Sequence, residues 1–150
     1  MKVYLVAGEP SGDKLGAELM AGLKSCAPYD LDFCGVGGPL MEEQGLTSLF
    51  PITEIAVMGI GEILAKYSFL KKRIKNTVDN ILRLKPDVLI TIDAPEFSLR
   101  VAKMVRKKLF INTVHYVAPT VWAWRPNRAK KISGYVDHIL ALFPFEPPYM

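Results

Sequence analysis

The sequence is short of the residues from which many active sites are made. It holds two cysteines, Cys26 and Cys34, and two histidines, His115 and His138, in 150 residues. The cysteines form neither a CxxC pair nor a disulfide framework, which fits a reducing compartment. No His/Cys cluster has metal-ligand spacing, and both histidines fall in or at the start of strand-like runs, so no metal site is expected. G-x-S-x-G is absent, which disfavours a covalent serine hydrolase. The glycine-rich segments Gly8–Asp13 and Gly35–Pro39 spell neither the Walker pattern nor the dinucleotide fingerprint, so no cofactor is expected. No run approaches the ~18 uninterrupted apolar residues of a membrane-spanning helix. Glu9 interrupts the first apolar run before it could serve as a signal peptide. Internal repeats and low-complexity tracts are also missing.

What is present is an alternation of short apolar runs with helical patterns. Lys2–Ala7, Leu31–Val36, Val88–Ile92, Ile111–Val117 and His138–Leu142 read as strands, with a weak one over Leu46–Ile52 broken by Pro51. Between them lie helical stretches: one after Gly12 with Leu15, Leu19 and Leu23 at i, i+4, i+8, a short one from Pro39 to near Gly45, a long one over Glu54–Lys85 broken near Gly59 or Gly61, a basic one over Ser98–Lys108, and one carrying Arg128, Lys130 and Lys131. Strands alternating with helices predict an α/β fold with a doubly wound, mainly parallel sheet. In such sheets, ligands bind outside the carboxyl ends of the strands.

Four loops should open on that rim: Gly8–Asp13, Gly35–Pro39, Asp93–Ser98 and Ala118–Pro126. The first turns into a helix whose N-terminus favours an anion, with Ser11 or Asp13 a plausible N-cap; a plain tight turn is the simpler reading. Asp93 follows the apolar, β-branched run Val88–Ile92. It suits a general base that deprotonates a hydroxyl, or an N-cap for a helix starting at Pro95. Trp122, Trp124 and Arg125, flanked by prolines, are candidates to face a ligand, against the alternative of core packing.

The net charge of +4 favours an anionic partner, whether phosphate, nucleic acid or membrane surface. Along the long helix Ile60, Ile63, Leu64, Tyr67, Leu70, Ile74, Val78, Ile81 and Leu82 form a core-facing stripe at 3.6-residue spacing. At ~100° per residue Phe69 lies off that stripe, beside Lys66, Lys72 and Arg73. An aromatic on a lysine-rich face is a mark of interfacial membrane binding; a solvated basic face with one exposed aromatic accounts for it equally well.

Gly8-Glu9-Pro10-Ser11-Gly12-Asp13, Ala56-Val57-Met58-Gly59, Ile92-Asp93-Ala94-Pro95-Glu96-Phe97, His115-Tyr116-Val117, Val121-Trp122-Ala123-Trp124-Arg125 and Phe143-Pro144-Phe145-Glu146 together resemble the lipid-A-disaccharide synthase family, in order and spacing over all 150 residues. Thr120, Glu96 and Ser98 depart from residues common there (serine, aspartate and asparagine). The resemblance implies a Rossmann-like N-terminal, acceptor-side domain of a two-domain GT-B glycosyltransferase, whose C-terminal UDP-sugar-binding domain lies beyond this chain. It implies an inverting hexosyl transfer from UDP-2,3-diacylglucosamine to 2,3-diacylglucosamine 1-phosphate, giving lipid A disaccharide 1-phosphate and UDP. Asp93 would be the general base. Gly8, Glu9, Ser11, Gly12, Asp13, Trp122 and Arg125 would contact substrate. Met58, Lys66, Phe69, Lys72 and Arg73 would dock on the anionic cytoplasmic face of the inner membrane, with no nucleic acid partner. The isolated 150 residues would be inactive. Competing readings are a non-catalytic lipid- or membrane-binding module, another GT-B enzyme acting on UDP-sugars such as an epimerase, and a flavodoxin-like domain.

Overall fold

The computed structural model describes residues 1–56, 63–118 and 127–146, with all their side chains except those of 56, 63–66 and 127–129. In chain order the elements are β1 (Lys2–Ala7), α1 (Pro10–Cys26), β2 (Asp32–Val36), α2 (Pro39–Glu43), β3 (Thr47–Ser48), α3 (Thr53–Ala56), α4 (Ile63–Leu84), β4 (Val88–Ile92), α5 (Ser98–Arg106), β5 (Asn112–Tyr116), α6 (Asn127–Ile132) and β6 (His138–Leu140). The six strands form one sheet in the order β3-β2-β1-β4-β5-β6. Every pairing is parallel. The doubly wound α/β expectation is met.

The central strands are mostly apolar because helices cover both faces, Lys2 and Thr91 being the polar exceptions in β1 and β4. In β1, Val3 to Ala7 are all fully buried, and alternation sends Val3, Leu5 and Ala7 to one side and Tyr4 and Val6 to the other. The first side packs Met20 of α1 and Met41 of α2; the second packs Ile74, Val78 and Ile81 of α4 and Val101 and Val105 of α5. Each such fully buried aliphatic contributes roughly 1.5–3 kcal/mol. The Tyr4 hydroxyl donates to Asn80 Oδ1 at 2.8 Å and ties α4 to the sheet's centre. Burial, followed by the nearby Cys34, raises the Tyr4 pKa.

Chain direction across the sheet reverses between β1 and β4. The connections from β1 run outward through β2 to β3, and those from β4 run the opposite way to β6. The two strands are in register, Ala7 beside Ile92 and Ile92 beside Tyr116. The turns that follow, Gly8 onward and Asp93 onward, therefore emerge side by side at the switch point, where α/β sheets open a ligand crevice.

Some local expectations are corrected. The core stripe of α4 holds for Ile74, Val78 and Ile81, but Tyr67 is 51% exposed, with Lys71 Nζ lying 5.4 Å from its ring centroid. The proposed break near Gly59 or Gly61 and the side chains of Ile60, Ile63 and Leu64 lie outside what is described. No helix among the described residues is long and apolar enough to cross a membrane.

Candidate functional site

The turn after β4 is built to hold an unfavourable backbone. Asp93 and Ala94 both adopt positive φ, 45° and 42°. Such a conformation costs a non-glycine residue roughly 1–3 kcal/mol and persists only where its surroundings enforce it. Here they do. The Asp93 N–H donates to the Tyr116 carbonyl at 3.0 Å, and the N–H groups of Phe97 and Ser98 both donate to the Ala94 carbonyl at 2.9 Å. The Ser98 hydroxyl lies within hydrogen-bond distance of the Asp93 carbonyl and donates to that of Ala94 at 3.0 Å.

These contacts answer the capping question. Helix α5 begins at Ser98, and its N-cap position is Phe97, with no side-chain capping bond. Asp93 is half-buried, and its carboxylate accepts no hydrogen bond from any described residue. The N-cap reading of Asp93 is thus not what the structure displays.

The turn after β1 does the reverse with its aspartate. Helix α1 starts at Pro10, whose missing N–H suits the first helical position, and Glu9 stands at the N-cap with no side-chain bond. Neither Ser11 nor Asp13 caps this helix. Asp13 is 4% exposed, and its two oxygens accept the N–H groups of Gly38 (2.9 Å), Leu40 (3.2 Å) and Met41 (3.0 Å). It therefore caps α2 from across the fold. Gly38 has to be glycine for this, since a Cβ there would stand 2.5 Å from Asp13 Oδ2. A sequence clue existed: Gly38-Pro39 starts a helix with no Ser, Thr or Asp of its own to cap it.

Between the two turns lies a cleft of 380 Å³, lined by Gly8, Glu9 and Pro10 on one side, Ala94 to Phe97 on the other, and Ile55 and Leu70 at the end. Gly8 permits the close approach, because a Cβ on it would sit 2.8 Å from Ala94 Cβ. Glu9 is exposed in the lining, Ser11 is exposed in the first turn of α1 outside it, and Gly12 is buried against Ala7 and Ile92. The first-turn N–H groups of α1 point their positive dipole end along the same rim. Asp93 opens the second turn but is not among the residues that line this cleft, which Ala94 begins. The cleft joins an uncapped helix N-terminus to an apolar wall and can hold an anion, with the half-buried Asp93 carboxylate one residue outside its lining.

A family model described as lipid-A-disaccharide synthetase matches residues 3–150. The chain belongs to the lipid-A-disaccharide synthase family. Relatives of that name are 59% identical over 150 residues in Ruegeria pomeroyi, 50% over 148 in Rhodospirillum centenum and 49% over 146 in Pseudomonas aeruginosa, covering 100%, 98% and 97% of this chain. The same alignments cover 37%, 37% and 38% of those relatives, so the chain spans little more than a third of their length. In fold alone it is similar to the UDP-GlcNAc 2-epimerase from Neisseria meningitidis bound to UDP-GlcNAc. That likeness has a TM-score of 0.59 and 14% identity, over 91% of this chain and 39% of that one.

Other residues singled out in this lipid-A-disaccharide synthase family member are placed as follows. Met58, Trp122 and Arg125 lie outside the described residues, and Lys66 lies in α4 without a described side chain. Phe69 is 37% exposed and Lys72 is exposed on α4. Arg73 is held inward: it pairs with Glu54 of α3, and its guanidinium carbon lies 4.8 Å from the Phe50 ring centroid and 5.0 Å from that of Phe69. His115 is buried in β5 with Nδ1 2.8 Å from Thr91 Oγ1, a strand-to-strand contact. The sequence placed Leu70 on a core stripe and Ser98 at the start of a helix, but not Leu70 in the wall of the cleft or Ser98 as the brace of the Asp93 turn.

Proposed function

We propose that this chain is the acceptor-side domain of an inverting glycosyltransferase that forms the lipid A disaccharide. The donor is UDP-2,3-diacylglucosamine and the acceptor 2,3-diacylglucosamine 1-phosphate. Membership of the family supports the reaction, and the Asp93 carboxylate at the switch-point rim, with no hydrogen-bond partner among the described residues, is the observation that carries the mechanism.

In that mechanism Asp93 takes the proton of the acceptor's attacking hydroxyl. The hydroxyl oxygen bonds to the anomeric carbon of the donor sugar while the bond from that carbon to UDP breaks on the opposite face. UDP leaves with the bonding electrons, and the configuration inverts. A positioned general base of this kind accelerates transfer by roughly 10²–10⁴-fold. The rigid turn matters because a carboxylate held in place needs no reorganisation at the moment of reaction. Glu9, Ser11 and the uncapped amides of α1 hold the acceptor's sugar or phosphate, Gly8 and Gly12 allow it close to the backbone, and Asp13 supports this rim from behind. Trp122 and Arg125 complete the acceptor side, and the UDP-sugar site is formed by a second domain.

The acyl substrates put the enzyme at a membrane surface, peripheral on the cytoplasmic face of the inner membrane, with Met58, Lys66, Phe69 and Lys72 as its docking face; Arg73, paired with Glu54, braces that face rather than meeting lipid. Replacement of Asp93 by alanine in the full-length protein tests the reading. Turnover should fall at least a hundred-fold with the thermal midpoint retained, whereas near-normal turnover would remove Asp93 from the chemistry.

A further inference from the structure

The backbone of Asp93 is held on both sides of its side chain. Its N–H donates to the Tyr116 carbonyl at the end of β5, at 3.0 Å. Its carbonyl meets the Ser98 hydroxyl and, among the described residues, no backbone N–H. The next carbonyl, that of Ala94, receives the same hydroxyl at 3.0 Å as well as the N–H groups of Phe97 and Ser98. A serine early in a helix often bonds back to the carbonyl four residues before it, so the Ala94 contact alone would be ordinary. The contact to Asp93, five residues back, lies outside that pattern. It sets one hydroxyl against the carbonyls of both residues that carry positive φ.

The strain extends to the neighbouring strand end. Val117, which follows Tyr116, has a φ of 76°, and its N–H donates to the Leu140 carbonyl at 3.0 Å. A β-branched residue rarely takes that conformation. Left-handed residues on two adjacent strand ends thus gather beside one carboxylate, and such strain persists only where neighbours over-determine it. Ser98 is suited to that task. It is fully buried at the first position of α5, whose Leu99, Val101 and Ala102 are buried with it.

We infer that Ser98 is a positioning residue for the transfer: its hydroxyl holds the Asp93–Ala94 peptide in the arrangement that presents the carboxylate at the rim. Buried below the turn, it acts through Asp93 rather than on substrate. The inference rests on the reading of Asp93 as general base. Without the hydroxyl the Asp93 carbonyl loses its donor, the peptide relaxes toward ordinary φ, and the Cα–Cβ bond of Asp93 turns with it. A displacement of about 1 Å at a reacting group costs on the order of a hundred-fold in rate.

A double-mutant cycle on the full-length protein tests this. It compares kcat, KM and thermal midpoint for wild type, Ser98→Ala, Asp93→Ala and the pair, with enough enzyme to resolve the ~10⁴-fold loss that removing a general base can cause. Ser98→Ala should lose roughly ten- to a hundred-fold in kcat, with KM within about two-fold of wild type. In the Asp93→Ala background the same change should cost less than about two-fold, because no base is left to misplace. Ser98→Cys, which keeps a similar volume and only a weak donor, takes the place of Ser98→Ala if that variant does not fold. Losses that multiply, a loss carried by KM, or a lowered midpoint with turnover per folded molecule intact would each overturn the role of Ser98 and leave Asp93 as the base. Normal turnover of Asp93→Ala would overturn both.

Discussion

Two turns stand side by side at the switch point, each leading from a buried strand to a helix and each carrying an aspartate, and they use it in opposite ways. Asp13 is sunk below the rim, where three backbone N–H groups of a neighbouring helix engage it. Asp93 stays half-buried, in a turn held by backbone bonds and by Ser98, while its carboxylate engages none of the described residues. A carboxylate's role follows from which donors the fold brings to it. When the turn's own backbone is satisfied by other groups, the side chain is left available for chemistry.

The largest effect on stability should come from the first turn. Asp13→Ala leaves three N–H groups without their acceptor, and hydrogen bonds to a charged group are worth ~1.5–3 kcal/mol each before relaxation and water recover part. A loss of about 3 kcal/mol is expected in denaturant unfolding, and a loss under about 1 kcal/mol would show that water replaces the carboxylate easily. Gly8→Val should cost roughly 1–3 kcal/mol in the same assay, because its Cβ would press on Ala94 and force the two turns apart. It should also weaken acceptor binding, read as a raised KM.

The smallest effect belongs to an aspartate far from both turns. Partial burial pushes the Asp137 carboxyl up, but the Thr113 N–H at 2.8 Å and the Arg106 guanidinium at 2.5 Å outweigh it and hold the pKa below the ordinary 3.8. Its stabilising contribution is therefore complete above 3.8 and is lost as pH falls through the lower folded-state value. Asp137→Asn should flatten that part of the acid-unfolding curve and leave stability near pH 7 reduced. An acid limb unchanged in shape would assign the acid sensitivity to other carboxylates.

Much of the fold was legible because buried parallel strands are written as continuous apolar runs. Lys2–Ala7 and the start of the Val88 strand were read to the residue. The position of Asp93 at a strand end was equally plain. Its freedom was not, since that depends on Tyr116 twenty-three residues later and on Ser98 taking over the turn. The same limit hid the task of Asp13, whose partners come from the next βα connection. Tyr67 misled because helical spacing identifies a face but not how far along the helix the neighbouring layer extends.

The most direct measurement is a paired one on the full-length protein: turnover and thermal midpoint for Asp93→Asn and Asp13→Asn, side by side. The expected result is a crossed pattern, with Asp93→Asn losing at least a hundred-fold in kcat at an unchanged midpoint, and Asp13→Asn losing several degrees with turnover per folded molecule preserved. If both variants lost stability and activity together, or if Asp93→Asn remained active, the division of labour between the two turns would be contradicted.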